Sequence, residues 1–251
     1  MRRPLLILAA LAAAVALFAL CLAPASLADA RLAAITEGAV HLTDAEGTLW
    51  NAHGIITSGA ARIPIAWRID AWPLLRGEFH LRLVRGDGGS AAMPKGDVAI
   101  GRNSWQLRDL DATIPAAFIA AAAGWSAALA GGDVAINAAF VEWTPQAARG
   151  DAQIQWRGAW ITAPGSAEAT ALGDITATLR GSTDRLSGPV SNAGGDLAVQ
   201  GIVTLGAQSG VQLSLVLTPR RADDRNLARA LLIIGVPEGD GWRVEWRLPP
   251  R

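Results

Sequence analysis

The stretch Trp242-Arg243-Val244-Glu245-Trp246-Arg247-Leu248 places an apolar side chain at every second position. Successive side chains of a β-strand point to opposite faces of the sheet, so this alternation predicts a strand with one buried and one solvated face. The same alternation recurs at residues 78–83, 153–157, 175–180 and 212–215. The chain is therefore predicted to be mainly β.

Less regular segments extend this prediction along the chain. Further strands are predicted at residues 63–69, 104–110, 133–143 and 196–205. Turn signals rich in glycine and aspartate separate the strands, at residues 86–89, 131–133, 192–196 and 239–241. Short turns join antiparallel neighbours, whereas parallel strands need long crossovers. We therefore predict an antiparallel, curved β-sheet meander.

Two short helices are predicted between the strands. Residues 115–123 begin with proline and are followed by glycine, which is typical of the first turn and the end of a helix. Residues 224–234 are also followed by glycine and carry an apolar stripe at helical spacing. Each helix follows strands and precedes a tryptophan. This arrangement suggests two similar halves, 37–130 and 131–251.

The N-terminus carries an uncharged apolar run at residues 5–23, directly after Arg2, Arg3 and a proline. At about 1.5 Å per residue, a helix over this run spans about 28 Å, close to the hydrocarbon thickness of a bilayer. The two arginines place the N-terminus in the cytoplasm. We predict a bacterial inner-membrane protein with a single pass and most of its chain in the periplasm. Its segments are a cytoplasmic tip at 1–4, a transmembrane anchor at 5–23, a linker at 24–36 and a periplasmic β-rich domain at 37–251.

The alternative for the apolar run is a cleaved secretory signal, with Ala28-Asp29-Ala30 as the cleavage site. The run is longer than a usual signal core, so we favour a retained anchor. Both interpretations export the domain. The chain has one cysteine, Cys21, inside this run, which excludes an intramolecular disulfide and a site built from several cysteines.

Charge and motifs give no support for catalysis. The 22 basic and 22 acidic residues balance, so no excess of positive charge favours nucleic acid. His41, His53 and His80 lie in separate predicted elements without metal-ligand spacing. The glycine-rich turns lack the lysine of a phosphate-binding loop, and no G-x-S-x-G elbow occurs. We predict a protein that is not an enzyme, with no catalytic residue, metal, cofactor or small-molecule substrate.

Ten tryptophans are unusual for a chain without a single tyrosine. Five of them fall within strand patterns, where a large aromatic face fills the space beside a sheet, so we predict that they belong to the core. A binding platform for carbohydrate or single-stranded nucleic acid is the alternative. The five are Trp67, Trp143, Trp156, Trp242 and Trp246.

Four short motifs follow the apolar run in a fixed order. They are Ala45-Glu46-Gly47-Thr48-Leu49-Trp50-Asn51, Ile65-Ala66-Trp67-Arg68-Ile69, Pro73-Leu74-Leu75-Arg76-Gly77-Glu78-Phe79, and Leu231-Leu232-Ile233-Ile234-Gly235-Val236-Pro237 with Asp240-Gly241. Their order and spacing resemble the type II secretion system protein N family, also called general secretion pathway protein N. The residues that carry the resemblance, each with a structural role, are Gly47, Thr48, Leu49, Trp50, Trp67, Leu75, Gly77, Gly235, Pro237 and Gly241.

One position departs from the pattern that the resemblance implies. A glycine is expected directly after Trp50-Asn51, but here it is delayed to Gly54. Glycine permits backbone conformations that other residues avoid, so we expect a turn or bulge of different shape at this point.

The resemblance implies a non-enzymatic accessory component of type II secretion, which exports folded proteins. Its partners would be other subunits of the inner-membrane assembly platform. The alternative is a periplasmic lipid-handling or envelope-biogenesis protein with a curved, apolar β-sheet. The anchor, meander and tryptophans suit both, and the motifs favour the secretion component.

Overall fold

The structure is a computed structural model that describes residues 22–59, 61–85, 93–122, 129–162, 168–221, 227, 231 and 235–248. Within these residues the helices are α1 Ser26–Ile35, α2 Ala71–Leu74 and α3 Ala116–Ala122. The first strands are β1 His41–Thr48, β2 Asn51–Ser58, β3 Ala61–Asp70, β4 Phe79–Leu83, β5 Lys95–Ile100, β6 Trp105–Pro115 and β7 Ala130–Trp143. The others are β8 Ala148–Thr162, β9 Ala169–Gly181, β10 Arg185–Ala193, β11 Leu197–Gly206, β12 Gly210–Pro219, β13 Val236–Glu238 and β14 Gly241–Leu248.

All 14 strands form one antiparallel sheet. From β1 to β12 each strand pairs with its neighbour in the chain; β14 then pairs with β12, and β13 lies outside it. The prediction of a mainly β, antiparallel fold is confirmed. Each strand predicted from the sequence matches an observed strand, beginning at most one residue before it, and the helix predicted at 115–123 is confirmed as α3.

The second predicted helix lies largely outside the described residues. Leu227 and Leu231 are helical and buried, with exposures of 8% and 2%. Leu231 accepts a backbone hydrogen bond of 2.9 Å from Gly235, where the prediction placed the end of the helix. Both leucines cover the sheet beside β11, β12 and β14.

The two predicted halves belong to a single sheet. Strand β7 pairs with β6 from Trp105 opposite Trp143 to Pro115 opposite Asp133, and its first residues, Ala130 and Gly131, pair with Ile161 and Trp160 of β8. The predicted boundary between residues 130 and 131 therefore falls inside strand β7. The internal duplication itself stays a prediction.

The sheet curls, because residues on distant strands meet. Trp143 at the end of β7 donates from Nε1 to the carbonyl oxygen of Gly206 at the end of β11, over 3.3 Å. Four strand spacings separate these strands, which is about 19 Å in a flat sheet and beyond the reach of an indole. A core lies inside the curl, where Trp143 packs in the same cluster as Leu186, Val203 and Leu205.

The prediction that five tryptophans belong to the core holds for four of them and is wrong for one. Trp67 is 6% exposed, and three others pack beside buried clusters as predicted: Trp143, Trp156 and Trp242. The core prediction is wrong for Trp246, which is 44% exposed. Trp246 lies on the same face of β14 as Trp242. It is further along the strand, beyond the cluster that contains Leu227 and Leu231.

Helix α1 occupies the segment that the sequence analysis treated as a linker at 24–36. It is rich in alanine and leucine, which are strong helix formers. Its end is closed by Glu37 at a φ of 52° and by a 2.8 Å hydrogen bond from the Gly38 amide to the Ala33 carbonyl. The helix packs on β1 to β4 through Ala25, Ala28 and Leu32. Residues 24–36 are thus part of the folded domain.

The transmembrane anchor predicted at 5–23 lies outside the described residues, apart from Leu22 and Ala23. No helix within the described part of the chain is long and apolar enough to cross a bilayer.

Candidate functional site

The residues that carry the family resemblance lie at the two edges of the sheet. One group lies in β1, β3 and the turns at the N-terminal edge: Gly47, Thr48, Leu49, Trp50, Trp67, Leu75 and Gly77. The other group lies in or beside β13 and β14: Gly235, Pro237 and Gly241. The long middle of the sheet carries none of them. The two edges are therefore the candidate functional sites.

The N-terminal segment is fastened to the first turn of the sheet. The Leu49 amide donates to the Ala23 carbonyl at 2.8 Å, and the Ala25 amide donates to the Gly47 carbonyl at 3.2 Å. Pro24 forms an isolated antiparallel bridge with Thr48. The end of β1 and the β1–β2 turn therefore hold the segment that leads in from the N-terminus.

Trp67 supports this turn from inside the sheet. Its indole Nε1 donates to the Leu49 carbonyl at 3.0 Å, and its ring packs against Leu42 and Ala52. The turn is also tied to β3, because the Ile69 amide donates to the Trp50 carbonyl at 2.7 Å. Trp67 is the buried ring at this turn, whereas Trp50 is only half-buried.

A bulge explains the delayed glycine. Asp44 and Ala45 of β1 face the single residue Gly54 of β2, and the register shifts there. A Cβ at Gly54 would lie 3.0 Å from Leu42 Cδ1 and 3.1 Å from the Thr43 carbonyl oxygen. Gly54 therefore leaves room for the bulged strand.

The outer edge of β1 is closed by the chain itself. The Asp29 carboxylate on α1 accepts a 2.8 Å hydrogen bond from the Leu42 amide and lies 3.7 Å from His41 Nδ1. Residues 23–25 occupy the other end of the same strand. The bulge bends the strand between these two contacts, and bulged or covered edges resist pairing with another chain.

We expect Asp29→Ala to lower the free energy of unfolding by about 1–2 kcal/mol, because the Leu42 amide loses a charged acceptor. Amide hydrogen exchange at Leu42 should become faster. Asp29→Asn is the matched control, since its side-chain oxygen still accepts, and its loss should be smaller. Equal exchange rates in wild type and Asp29→Ala would contradict the closed edge.

We expect Gly47→Ala to be more disruptive than Gly59→Ala. Gly47 has a φ of 105°, and an added Cβ would lie 2.5 Å from the Asn51 carbonyl oxygen, so the substitution should cost about 2–3 kcal/mol. Gly59 also has a positive φ, 57°, but faces open space, so its cost should be about 1 kcal/mol. Denaturant unfolding measures both. A similar loss for the two would show that the turn tolerates a side chain at Gly47.

The C-terminal edge is built differently and is partly open. The three residues of β13 pair only with Gly241, Trp242 and Arg243. Among the residues that the structure describes, no strand pairs with the outer side of β14 at 244–248. Trp246 lies in this open segment.

Charge and close packing hold β13 in place. Arg243 Nε donates to Glu238 Oε2 at 2.6 Å, and Arg243 Nη2 contacts the other carboxylate oxygen. The hydrogen bond to Glu238 and the charge of that carboxylate raise the pKa of Arg243 above its usual value. A Cβ at Gly235 would lie 2.9 Å from the Arg243 carbonyl oxygen, and one at Gly241 would lie 2.8 Å from the Leu217 carbonyl oxygen. Both glycines therefore permit close backbone approach.

The three histidines occupy separate elements, as predicted. Each has one acidic neighbour: His41 lies near Asp29, His53 Nε2 lies 3.4 Å from Glu46, and His80 Nε2 lies 3.4 Å from Glu78. Within the described residues, no three histidine, cysteine, aspartate or glutamate side chains are grouped as metal ligands.

The fold and these sites define a mainly β protein whose candidate functional sites are the edges of one long sheet. Residues 38–245 match the family model described as type II secretion system (T2SS), protein N. The chain therefore belongs to this family, and the resemblance found in its motifs is confirmed. The family is a component of a secretion system and is not a known enzyme family. Comparisons with curated proteins and with solved structures found no match.

Proposed function

We propose that this protein is an accessory subunit of type II secretion, anchored in the inner membrane, whose periplasmic sheet contacts the assembly platform. The observation that carries the proposal is the asymmetry of the two sheet edges. The β1 edge is occupied by the chain's own residues 23–25 and by Asp29. The β14 edge is open at 244–248 in the described structure.

An open strand edge can receive an extended segment from another protein by backbone hydrogen bonding. Trp246 adds an exposed apolar ring to this edge, and Val236 on β13 is 70% exposed. Aromatic residues often dominate the binding energy of protein interfaces. The proposed docking surface for a platform subunit is therefore the open edge of β14 with Trp246.

The contacts of α1 favour a retained anchor over cleavage at Ala28-Asp29-Ala30. Cleavage after Ala30 would remove the Asp29 carboxylate and the bonds that Ala23 and Ala25 make with the first turn. These contacts close the β1 edge, and Ala25 is 1% exposed in the core beneath α1. These contacts make residues 23–35 part of the folded domain, which supports a retained N-terminal segment.

The packing inside the curl favours the secretion role over lipid handling. A lipid-handling sheet needs an apolar groove that a ligand can enter. Here the inner side chains of β7 to β12 pack against one another, with Leu186 1% exposed at their centre.

Affinity purification tests the proposed function. The full-length protein would be tagged, solubilised in detergent from its own host and analysed by mass spectrometry beside an untagged control. We expect enrichment of inner-membrane subunits of the secretion platform. Enrichment of phospholipid or envelope-biogenesis proteins without any secretion subunit would contradict the proposal and favour lipid handling.

A further inference from the structure

The connection between β3 and β4, residues 71–78, forms an exposed apolar tip. It contains α2, and its Trp72 and Leu75 side chains are 69% and 78% exposed. Ile100 of β5 is 46% exposed and adjoins the tip, because the end of β5 pairs with the start of β4. Apolar side chains grouped in this way on a surface mark a contact site. The open β14 edge lies at the other end of the strand order, so the docking surface proposed there does not cover the tip.

The tip lies at the same end of the strands as the entry of the N-terminal segment. Ala23 is hydrogen-bonded to Leu49 in the β1–β2 turn, and Trp50 in that turn accepts from Ile69 near the end of β3. Helix α2 begins at Ala71, two residues later. Three strand spacings separate β1 from β4, which is about 14 Å.

The apolar run 5–23 ends where the sheet begins. Its last residue, Ala23, is 7% exposed and bonded to the turn, and Leu22 directly before it is 56% exposed. The sheet is thus held directly against the end of the run. Under the proposed function, in which this run crosses the inner membrane, the tip is held beside the bilayer surface.

The chemistry of the tip fits that surface. Tryptophan is enriched where membranes meet water, because its ring is apolar and its N–H is polar. Arg76 in the tip and Arg102 in the adjacent β5–β6 turn are both exposed. Arginine beside apolar side chains suits the boundary between anionic lipid headgroups and acyl chains.

We infer that this tip inserts into the periplasmic surface of the membrane that holds the apolar run. Trp72, Leu74 and Leu75 enter the boundary between headgroups and acyl chains, while Arg76 and Arg102 face the lipid phosphates. The membrane then holds the sheet at two points, the anchor and the tip, and this fixes the direction in which the sheet edges face. The inference rests on the proposed anchoring.

A fluorescent probe at Leu75 tests the inference. The full-length chain with Cys21→Ser and Leu75→Cys would carry an environment-sensitive fluorophore in vesicles of phosphatidylethanolamine and phosphatidylglycerol. Val236→Cys in the same background is the matched control, because Val236 is 70% exposed and lies in β13. We expect the Leu75 probe to shift to shorter wavelength and to be quenched by nitroxide on the lipid headgroups. The Val236 probe should do neither.

Alkaline extraction of the same vesicles separates this inference from the anchoring on which it rests. A chain that resists extraction, but whose Leu75 and Val236 probes have equal emission and equal quenching, overturns the tip contact and leaves the anchor standing. In that case the tip is open to a protein partner. A chain that is released by extraction, with both probes in water, overturns the anchoring and the tip contact together.

Discussion

Trp67→Ala is expected to lower the free energy of unfolding by about 3–5 kcal/mol, the range found when a buried aromatic side chain is truncated. The ring is 6% exposed and packs between α1 and the first strands, against Leu42 and Ala52. Its loss also leaves the Leu49 carbonyl without the indole donor. Because that turn receives residues 23–25, we expect the N-terminal segment to detach along with the loss of stability.

Denaturant unfolding of the full-length protein in detergent measures this effect. Trp72→Ala is the matched control, since it removes the same side chain at a site that is 69% exposed, and its change should stay within about 0.5 kcal/mol. Trp67→Phe keeps most of the ring but not the donor, and should cost about 1–2 kcal/mol. Similar losses for Trp67→Ala and Trp72→Ala would show that Trp67 does not support the first turn.

Trp246→Lys is expected to abolish most of the recovery of platform subunits while leaving the protein folded. If Trp246 is buried at the interface, its removal should cost about 2 kcal/mol or more, which is about 30-fold in affinity. A lysine on an edge strand also discourages pairing with another chain. Since the ring is 44% exposed in the free protein, we expect little change in thermal unfolding.

Ile202→Lys provides the control for this experiment. Ile202 is 57% exposed on β11, which has paired strands on both sides. This variant should retain wild-type recovery of partners. An equal loss in both variants would indicate a general effect of charge, and unchanged recovery with Trp246→Lys would rule out the β14 edge as the docking surface.

The sequence predicted the strands whose side chains alternate over one buried face, because that alternation is a local property of the backbone. Strand β1 was missed because the bulge at Asp44 and Ala45 interrupts the period of two. Strand β10 was missed because Gly188 and Pro189 interrupt its pattern, and proline is uncommon inside a sheet. In the structure Pro189 lies opposite Ile202 in a strand paired on both sides.

The candidate sites were predicted only in part. The motifs marked the first turn and the β13–β14 region, but they could not show that one edge is closed and the other open. That difference depends on α1. The alanine-rich sequence of this helix has no apolar stripe by which a helix could be predicted, and its Ala28-Asp29-Ala30 resembles a signal cleavage site. It also depends on Asp29, which reaches Leu42 only after the chain has reversed direction. The curl depends on a contact between Trp143 and Gly206, which are 63 residues apart.

The order of the strands has a consequence for how the protein is made. Because β1 to β12 pair in chain order, a partly synthesised chain that ends within these strands already holds every strand partner of each strand but its last. Strands that pair are then also neighbours in the chain, and a short sequence separation between pairing strands favours rapid folding. The exception comes at the end, where β14 joins β12 and places β13 outside. The edge with Trp246 forms only after β14 has been synthesised, so a partner that docks there would select chains that carry β14 over shorter ones.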